Sequence, residues 1–151
     1  MLLVIGYGNP LRTDDGIGQI LVKRLADRLR SPAVRIITTH QLTPELAEPI
    51  SRASMAIFVD ACEGERTGAV ACQTVVPEAT GGGFTHHATP ASLLTSSREL
   101  YGNSPAGLIV TIVGGSFDYG TELSPQMAGA LPRLTEQLIG LIGKDFFLPP
   151  D

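Results

Sequence analysis

The stretch that decides the fold is residues 1–18, MLLVIGYGNPLRTDDGIG. A short apolar run, Leu2–Ile5, ends at a glycine, and such runs are typical of a strand buried on both faces of a sheet. Beyond the loop, apolar residues recur at helical spacing. This spacing predicts an amphipathic helix that begins near Asp14 or Asp15 and ends before Pro32. The chain therefore opens with a strand, a glycine-rich loop and a helix.

The rest of the chain continues this alternation. Threonine or serine followed by proline often starts a helix, because the first side chain caps it and proline suits its first turn. The predicted helices start at Thr43-Pro44, Thr89-Pro90 and Ser124-Pro125, and the further predicted strands are Val34–Thr39, Met55–Val59, Val70–Val76 and Leu108–Val113. This order predicts an α/β sandwich of one domain, residues 1–151, with a mostly parallel sheet.

The composition argues against several classes of function. A net charge of −4, from 11 basic and 15 acidic residues, disfavours a nucleic-acid groove or a polybasic membrane contact. The first residues lack the basic segment of a secretory signal, and no run reaches the ~18 apolar residues of a membrane span. The two cysteines, Cys62 and Cys72, are expected to be buried, reduced thiols. We therefore expect a cytoplasmic protein, and a monomer because no predicted helix has a second apolar face.

Acidic residues and histidines follow the strands at one predicted edge of the sheet. Asp15 lies in the first loop, Asp60 follows the third strand, and His86 and His87 precede the third helix. In a parallel sheet the loops after the strands open on the same edge, where functional groups gather. Two carboxylates and one imidazole suit an open site for nickel, zinc or manganese. The sequence thus predicts a divalent-metal site in which one aspartate is a candidate proton acceptor.

The first loop permits a second interpretation. The glycine pair in residues 6–8, between a strand and a helix, suggests dinucleotide binding. The third glycine of that motif would fall where the chain has Leu11, and two carboxylates at the helix start would repel phosphates. Asp14 and Asp15 also have a purely structural explanation, as a helix cap and as a charge that complements the helix dipole. A non-hydrolytic metal- or nucleotide-binding module therefore stays an alternative to an enzyme.

The opening motif is the first of five along the chain. They are Gly6-x-Gly8-Asn9-x-Leu11-x-x-Asp14-Asp15-Gly16-x-Gly18, Phe58-Val59-Asp60-Ala61, His86 with Leu94 eight residues later, Gly114, and Leu123-Ser124-Pro125. In this order they resemble the motifs of the hydrogenase maturation proteases. These endopeptidases remove the C-terminal extension from the large-subunit precursor of a NiFe-hydrogenase. The resemblance spans nearly the whole chain, and the opening motif is its specific part.

The resemblance implies both a fold and a chemistry. The implied fold is a three-layer sandwich, with a twisted five-stranded sheet and helices on both faces. The implied metal contacts are Asp15, Asp60 and His86, with His87 as the alternative histidine and with Asp15 or Asp60 as the catalytic carboxylate. In this family the metal is nickel that the substrate already carries, and other divalent metals are alternatives in vitro. The implied partner is the precursor of a NiFe-hydrogenase large subunit, cleaved only after nickel loading.

The loop after the second strand departs from the family pattern. Many relatives carry an Asp-Gly-Gly-Thr stretch there, and this chain has Thr39-His40-Gln41-Leu42 instead. The family uses that loop to recognise its partner. We therefore expect His40 and Gln41 to contribute to substrate recognition, while the hydrogenase concerned stays open.

Overall fold

The computed structural model describes residues 1–78 and 88–146, with side chains through residue 143. The strands are β1 (Leu2–Tyr7), β2 (Val34–Thr39), β3 (Met55–Cys62), β4 (Val70–Val75) and β5 (Ala106–Val113). The helices are α1 (Ile17–Leu29), α2 (Ala47–Ser51), α3 (Pro90–Tyr101) and α4 (Pro125–Phe146), with 3-10 turns at Thr13–Gly16 and Pro44–Leu46. The predicted alternation of strands and helices is confirmed. The candidates His86 and His87 lie outside the described residues.

The five strands form one sheet in the order β2-β1-β3-β5-β4. Four strands are parallel, and β4 pairs antiparallel with β5 at one edge. After β1, the chain passes through α1 and forms β2 on one side of β1. It then forms β3 on the other side of β1. A crevice opens at the carboxyl ends of the strands where the strand order reverses in this way. In this protein that crevice lies above β1 and β3.

Each face of the sheet buries its own apolar cluster. Val4 and Ile57 pack on the face covered by α1 and α4. Their neighbours Ile5 and Phe58 pack on the opposite face, where α2 and α3 lie. Because successive residues of a strand point to opposite faces, β1 and β3 must be apolar at nearly every position. The three-layer sandwich with helices on both faces is therefore confirmed.

The helix starts differ from the sequence-based expectations in two places. The α1 helix begins at Ile17, after the 3-10 turn, and its N-cap Gly16 supplies no side-chain hydrogen bond. The helix expected at Thr43 is a 3-10 turn followed by five residues of α-helix, and Thr43 makes no capping bond. By contrast, Thr89 caps α3 in a reciprocal pair of hydrogen bonds with Ser92, as its threonine–proline start predicts.

The exposure of the two cysteines differs from the sequence-based expectation. Both cysteines are free, but Cys62 is half-buried and Cys72 is exposed, so the expectation of two buried thiols was wrong. Cys72 is exposed because β4 forms the edge of the sheet, where most of its residues face solvent, and Cys62 is the last residue of β3. Among the described residues, no helix combines the length and apolarity needed to cross a membrane.

Candidate active site at the carboxyl edge of the sheet

Two elements bring Asp15 and Asp60 to the crevice above β1 and β3. Asp60 lies in β3, one residue past Val59, which pairs with Gly6 of β1. Asp15 lies in the 3-10 turn that joins the loop after β1 to α1. The two carboxylates are close enough for the charge of Asp15 to affect the protonation of Asp60. The structure thus brings together two of the three predicted metal contacts.

The surroundings of Asp60 favour its neutral form. Burial is the main cause, and it raises the pKa of Asp60 to about 6. The backbone N–H of Ala61 donates to Oδ1 at 2.8 Å and opposes this rise, whereas the charge of Asp15 adds to it. An interaction with the Tyr7 hydroxyl lowers the pKa slightly. Near neutral pH this carboxylate can therefore accept a proton at little energetic cost.

Asp15 is half-buried and fixed by its own loop. The backbone N–H of Asn9 donates to Asp15 Oδ2 at 2.8 Å. Asn9 is itself held, because its Oδ1 accepts the backbone N–H of Leu11 at 2.9 Å. Asp60 has the Tyr7 hydroxyl as a partner besides the Ala61 N–H, whereas Asp15 Oδ1 accepts no hydrogen bond from the described residues. One oxygen of Asp15 is thereby left for a ligand.

Tyr7 is a residue of the site that the sequence reasoning did not single out. It ends β1 and lies beside Asp60, since the neighbouring pair in the register is Gly6 and Val59. Burial, and then the charge of Asp60, raise the pKa of the Tyr7 hydroxyl above its usual value of 10. The hydroxyl therefore stays protonated at neutral pH and is a hydrogen-bond donor. The sequence of β1 alone does not show this neighbour, because it depends on the register between β1 and β3.

The glycines of the opening motif permit a close approach of α1 to the strands. A Cβ on Gly18 would lie 2.7 Å from the backbone oxygen of Tyr7 and would overlap that of Val59. Gly8 has φ of +140°, and a Cβ there would overlap the backbone oxygen of Asp15. Only glycine fits such positions. The motif therefore serves to set the start of α1, and with it Asp15, directly on the ends of β1 and β3.

The backbone N–H groups of the same loop are already bonded within the protein. In the dinucleotide-binding motif, free backbone N–H groups at the start of a helix bind the pyrophosphate. Here the backbone N–H groups of residues 8, 9 and 11–15 all donate to protein oxygen atoms. That of Gly8, for example, donates to the backbone oxygen of His40 at 3.1 Å. The geometry of this loop argues against the nucleotide-binding alternative.

Asp14 has a different role from the one its position suggests. It does not cap α1, whose first turn lacks a side-chain cap. Its carboxylate is fully buried and accepts hydrogen bonds from Gly115, Ser116 and Ser124. The helix-cap explanation for Asp14 was therefore wrong. The residue joins the first loop to the loop that precedes α4.

An open depression of about 410 Å³ lies beside Asp15. Its floor and walls are formed by Arg12, Asp15, Ala61, Cys62, Glu63 and Phe117. The guanidinium of Arg12 is turned toward the Tyr119 ring, 5.3 Å from its centroid, and its Nε donates to the Phe117 backbone oxygen at 3.0 Å. It forms no ion pair with Asp15. Of the two carboxylates of the site, only Asp15 lines this depression.

The two residues expected to recognise a substrate, His40 and Gln41, follow β2. His40 and Gln41 are exposed at the same edge of the sheet, next to Gly8. The structure therefore places them where a protein partner can reach them.

Within residues 1–78 and 88–143, no cluster of three or more His, Cys, Asp or Glu side chains is arranged to hold a metal ion. Among these residues, Asp15 and Asp60 therefore form a pair without a third side chain of this kind.

The arrangement of strands and helices corresponds to a known class of α/β folds. The sequence itself matches no protein-family model, and a search of curated proteins finds no match either. Solved structures with the same fold do exist. The hydrogenase maturating endopeptidase HybD from E. coli has a TM-score of 0.76 and 23% identity, over 96% of this chain and 93% of its own.

Two archaeal structures show the same likeness. The NiFe hydrogenase maturation protease HycI from Thermococcus kodakarensis has a TM-score of 0.72 and 22% identity, over 93% of this chain and 91% of its own. The hydrogenase 2 maturation peptidase from Thaumarchaeota archaeon SCGC_AB-539-E09 has a TM-score of 0.67 and 20% identity, over 94% and 97%. At such identities the likeness shows the fold alone. The fold implied by the sequence motifs, that of the hydrogenase maturation proteases, is confirmed.

Proposed function

We propose that this protein is an endopeptidase that removes the C-terminal extension from a nickel-loaded NiFe-hydrogenase large-subunit precursor. One observation carries the proposal. Asp15 and Asp60 meet at the reversal point of a fold shared with solved structures named as hydrogenase maturation proteases. The opening motif, which carries the specific part of the resemblance, is the segment that builds this meeting point. Fold, motif and paired carboxylates therefore support the same activity.

The charges at the site favour a cation supplied by the substrate. Asp15 and Asp60 repel each other, and neither forms an ion pair within the part of the chain that the structure describes. Asp15 has one carboxylate oxygen without a hydrogen-bond partner there. Oxygen ligands of this type suit a divalent metal, and two ligands leave several coordination positions for groups of the substrate. We propose that the pair contacts the nickel carried by the precursor, with His86, or else His87, as the third contact.

The side chains around the pair have distinct tasks in this proposal. Asp15, fixed by the Asn9 amide, serves to orient the substrate at its metal. Asp60 is the better proton acceptor, because its raised pKa brings it near the working pH. Tyr7 stays protonated and can donate a hydrogen bond to an oxygen that gains negative charge during cleavage. Nickel in the substrate would supply Lewis-acid polarisation of the scissile carbonyl.

Recognition of the precursor is assigned to the exposed loop after β2. His40 and Gln41 face solvent beside the site, and their backbones are held by the Gly8 N–H and the Thr39 hydroxyl. Exchanging residues 39–42 for those of a relative should change which precursor is cleaved. If partner choice is unchanged after the exchange, these residues have no role in recognition.

Cleavage of a nickel-loaded precursor, followed by mass spectrometry, tests the proposed function. The wild type should shorten the precursor at its C terminus, whereas Asp15→Asn and Asp60→Asn should be slower by about 100-fold or more. Asp118→Asn is the matched control, because it also removes one negative charge but lies exposed in the neighbouring loop. No cleavage by the wild type, together with saturable nucleotide binding, would favour the non-hydrolytic alternative.

A further inference from the structure

Asp14 is a buried charged group that the proposed chemistry does not use. It has no exposed surface. Its Oδ1 accepts the Ser124 backbone N–H at 2.8 Å. Its Oδ2 accepts the Ser124 hydroxyl at 2.6 Å and the backbone N–H groups of Gly115 and Ser116 at 2.7 and 3.2 Å. Four donors thus converge on one side chain.

This set of donors suits a carboxyl group, because both of its oxygens accept a backbone N–H. In asparagine, one of these oxygens is replaced by an NH₂ group, which would face a backbone N–H and could not accept it. A buried polar group without its hydrogen bonds is unfavourable, so the loss of these contacts should disturb both loops. The pattern is therefore specific for aspartate and is not a general polar contact.

The bonds join two loops that are distant in sequence. Gly115 and Ser124 are 101 and 110 residues from Asp14. Backbone bonds extend the same contact, because the Asp14 N–H donates to the Ser116 oxygen at 3.0 Å and the Thr13 N–H to the Gly120 oxygen at 3.1 Å. Ser124 also accepts the Met127 N–H at 3.3 Å, so the contact reaches the first turn of α4. The 3-10 turn is thereby fastened to a rigid element.

We propose that Asp14 is a positioning residue, which fixes the turn that carries Asp15 and so sets Asp15 relative to Asp60. Asp14 and Asp15 are adjacent in a single turn of 3-10 helix, so a shift of one moves the other. The direct reporter of the position of Asp15 is the Asn9 N–H, which donates to its Oδ2. The effect on cleavage rests on the proposed function, but the effect on position does not.

Amide hydrogen exchange, resolved by residue, tests the positioning role without any activity. In Asp14→Asn, exchange should become faster by roughly tenfold or more at Gly115 and Ser124, and also at Asn9. The Val4 amide in β1 serves as an internal control for global unfolding, and Asp118→Asn as the charge control. Faster exchange at Gly115 and Ser124 with an unchanged Asn9 would show that Asp14 only secures the far loop, and would overturn the proposal.

A milder variant keeps the test valid if Asp14→Asn does not fold. Ser124→Ala removes one of the four donors and leaves the carboxylate in place, so Asn9 exchange should rise in the same direction by a smaller factor. With the nickel-loaded precursor, either variant should lower kcat and leave KM unchanged. A raised KM with unchanged kcat contradicts positioning of Asp15. If the wild type fails to cleave, the proposed function fails, while the exchange result still decides the role of Asp14.

Discussion

Asp60→Asn is expected to increase the stability of the protein at neutral pH, because the folded state holds this carboxylate in unfavourable surroundings. Burial, with a smaller contribution from the charge of Asp15, raises its pKa from 3.8 to about 6. By linkage this difference corresponds to roughly 3 kcal/mol of lost stability when the group is charged. Asp60 is partly exposed, and solvent screening reduces the figure to about 1.5 kcal/mol. Asparagine keeps an acceptor for the Ala61 N–H and removes the charge.

The pH dependence has a definite sign. Well below pH 3.8 the Asp60 carboxyl is protonated in both the folded and the unfolded state, so it imposes no penalty on the wild type. As the pH rises from about 4 to above 6, the unfolded state releases this proton first, and the wild type loses stability. The asparagine variant lacks this loss. Its advantage should therefore be small at pH 4 and complete above pH 7.

Thermal unfolding of both proteins at pH 4 and pH 7.5 measures this difference. The melting temperature of Asp60→Asn at pH 7.5 should exceed that of the wild type by roughly 3–6 °C. Asp118→Asn, exposed in the loop before α4, should show no such gain. A variant that is no more stable than the wild type at pH 7.5, or whose gain is the same at both pH values, would refute the reasoning.

Further predictions address the same edge of the sheet. Asp15→Asn should lower the pKa of Asp60 by removing a nearby charge, and an unchanged carboxyl titration by NMR would contradict this. Gly18→Ala should destabilise the fold by about 1–3 kcal/mol, because its Cβ would press on the Tyr7 backbone, whereas Gly129→Ala in open space on α4 should stabilise it by about 0.5–1 kcal/mol. Equal unfolding midpoints for the two alanine variants would argue against the close approach of α1. Calorimetry should show Ni²⁺ binding weaken as the pH falls through about 6, where Asp60 takes up its proton. An affinity that is constant from pH 5 to pH 7.5 would exclude Asp60 as a ligand.

The layers of the fold are accessible from sequence because they follow from local patterns. The continuous apolar run of β1 predicts a strand buried on both faces, and the threonine–proline pair at Thr89 predicts a capped helix start. The convergence of Asp15 and Asp60 on one edge follows from the parallel sheet, which the alternation of strands and helices predicts. These inferences need no knowledge of distant contacts.

Other features depend on contacts between distant segments, and local patterns carry no record of them. Asp14 precedes a helix and so has the usual sequence features of a cap, yet its partners lie more than 100 residues away. Cys72 lies within an apolar run, but the strand order places that run at an exposed edge. Tyr7 gains its role only through its register beside Asp60. In each case the tertiary arrangement determines the environment of the side chain.

The central claim is that the Asp15–Asp60 pair acts on a precursor through the nickel that the precursor carries. The most direct measurement is the rate of C-terminal cleavage of nickel-loaded and nickel-free precursor by the wild type, Asp15→Asn, Asp60→Asn and His86→Ala. We expect rapid cleavage of the loaded precursor by the wild type alone, and little cleavage of the nickel-free precursor by any of the four proteins. Equal cleavage of both precursors by all four proteins would contradict the claim.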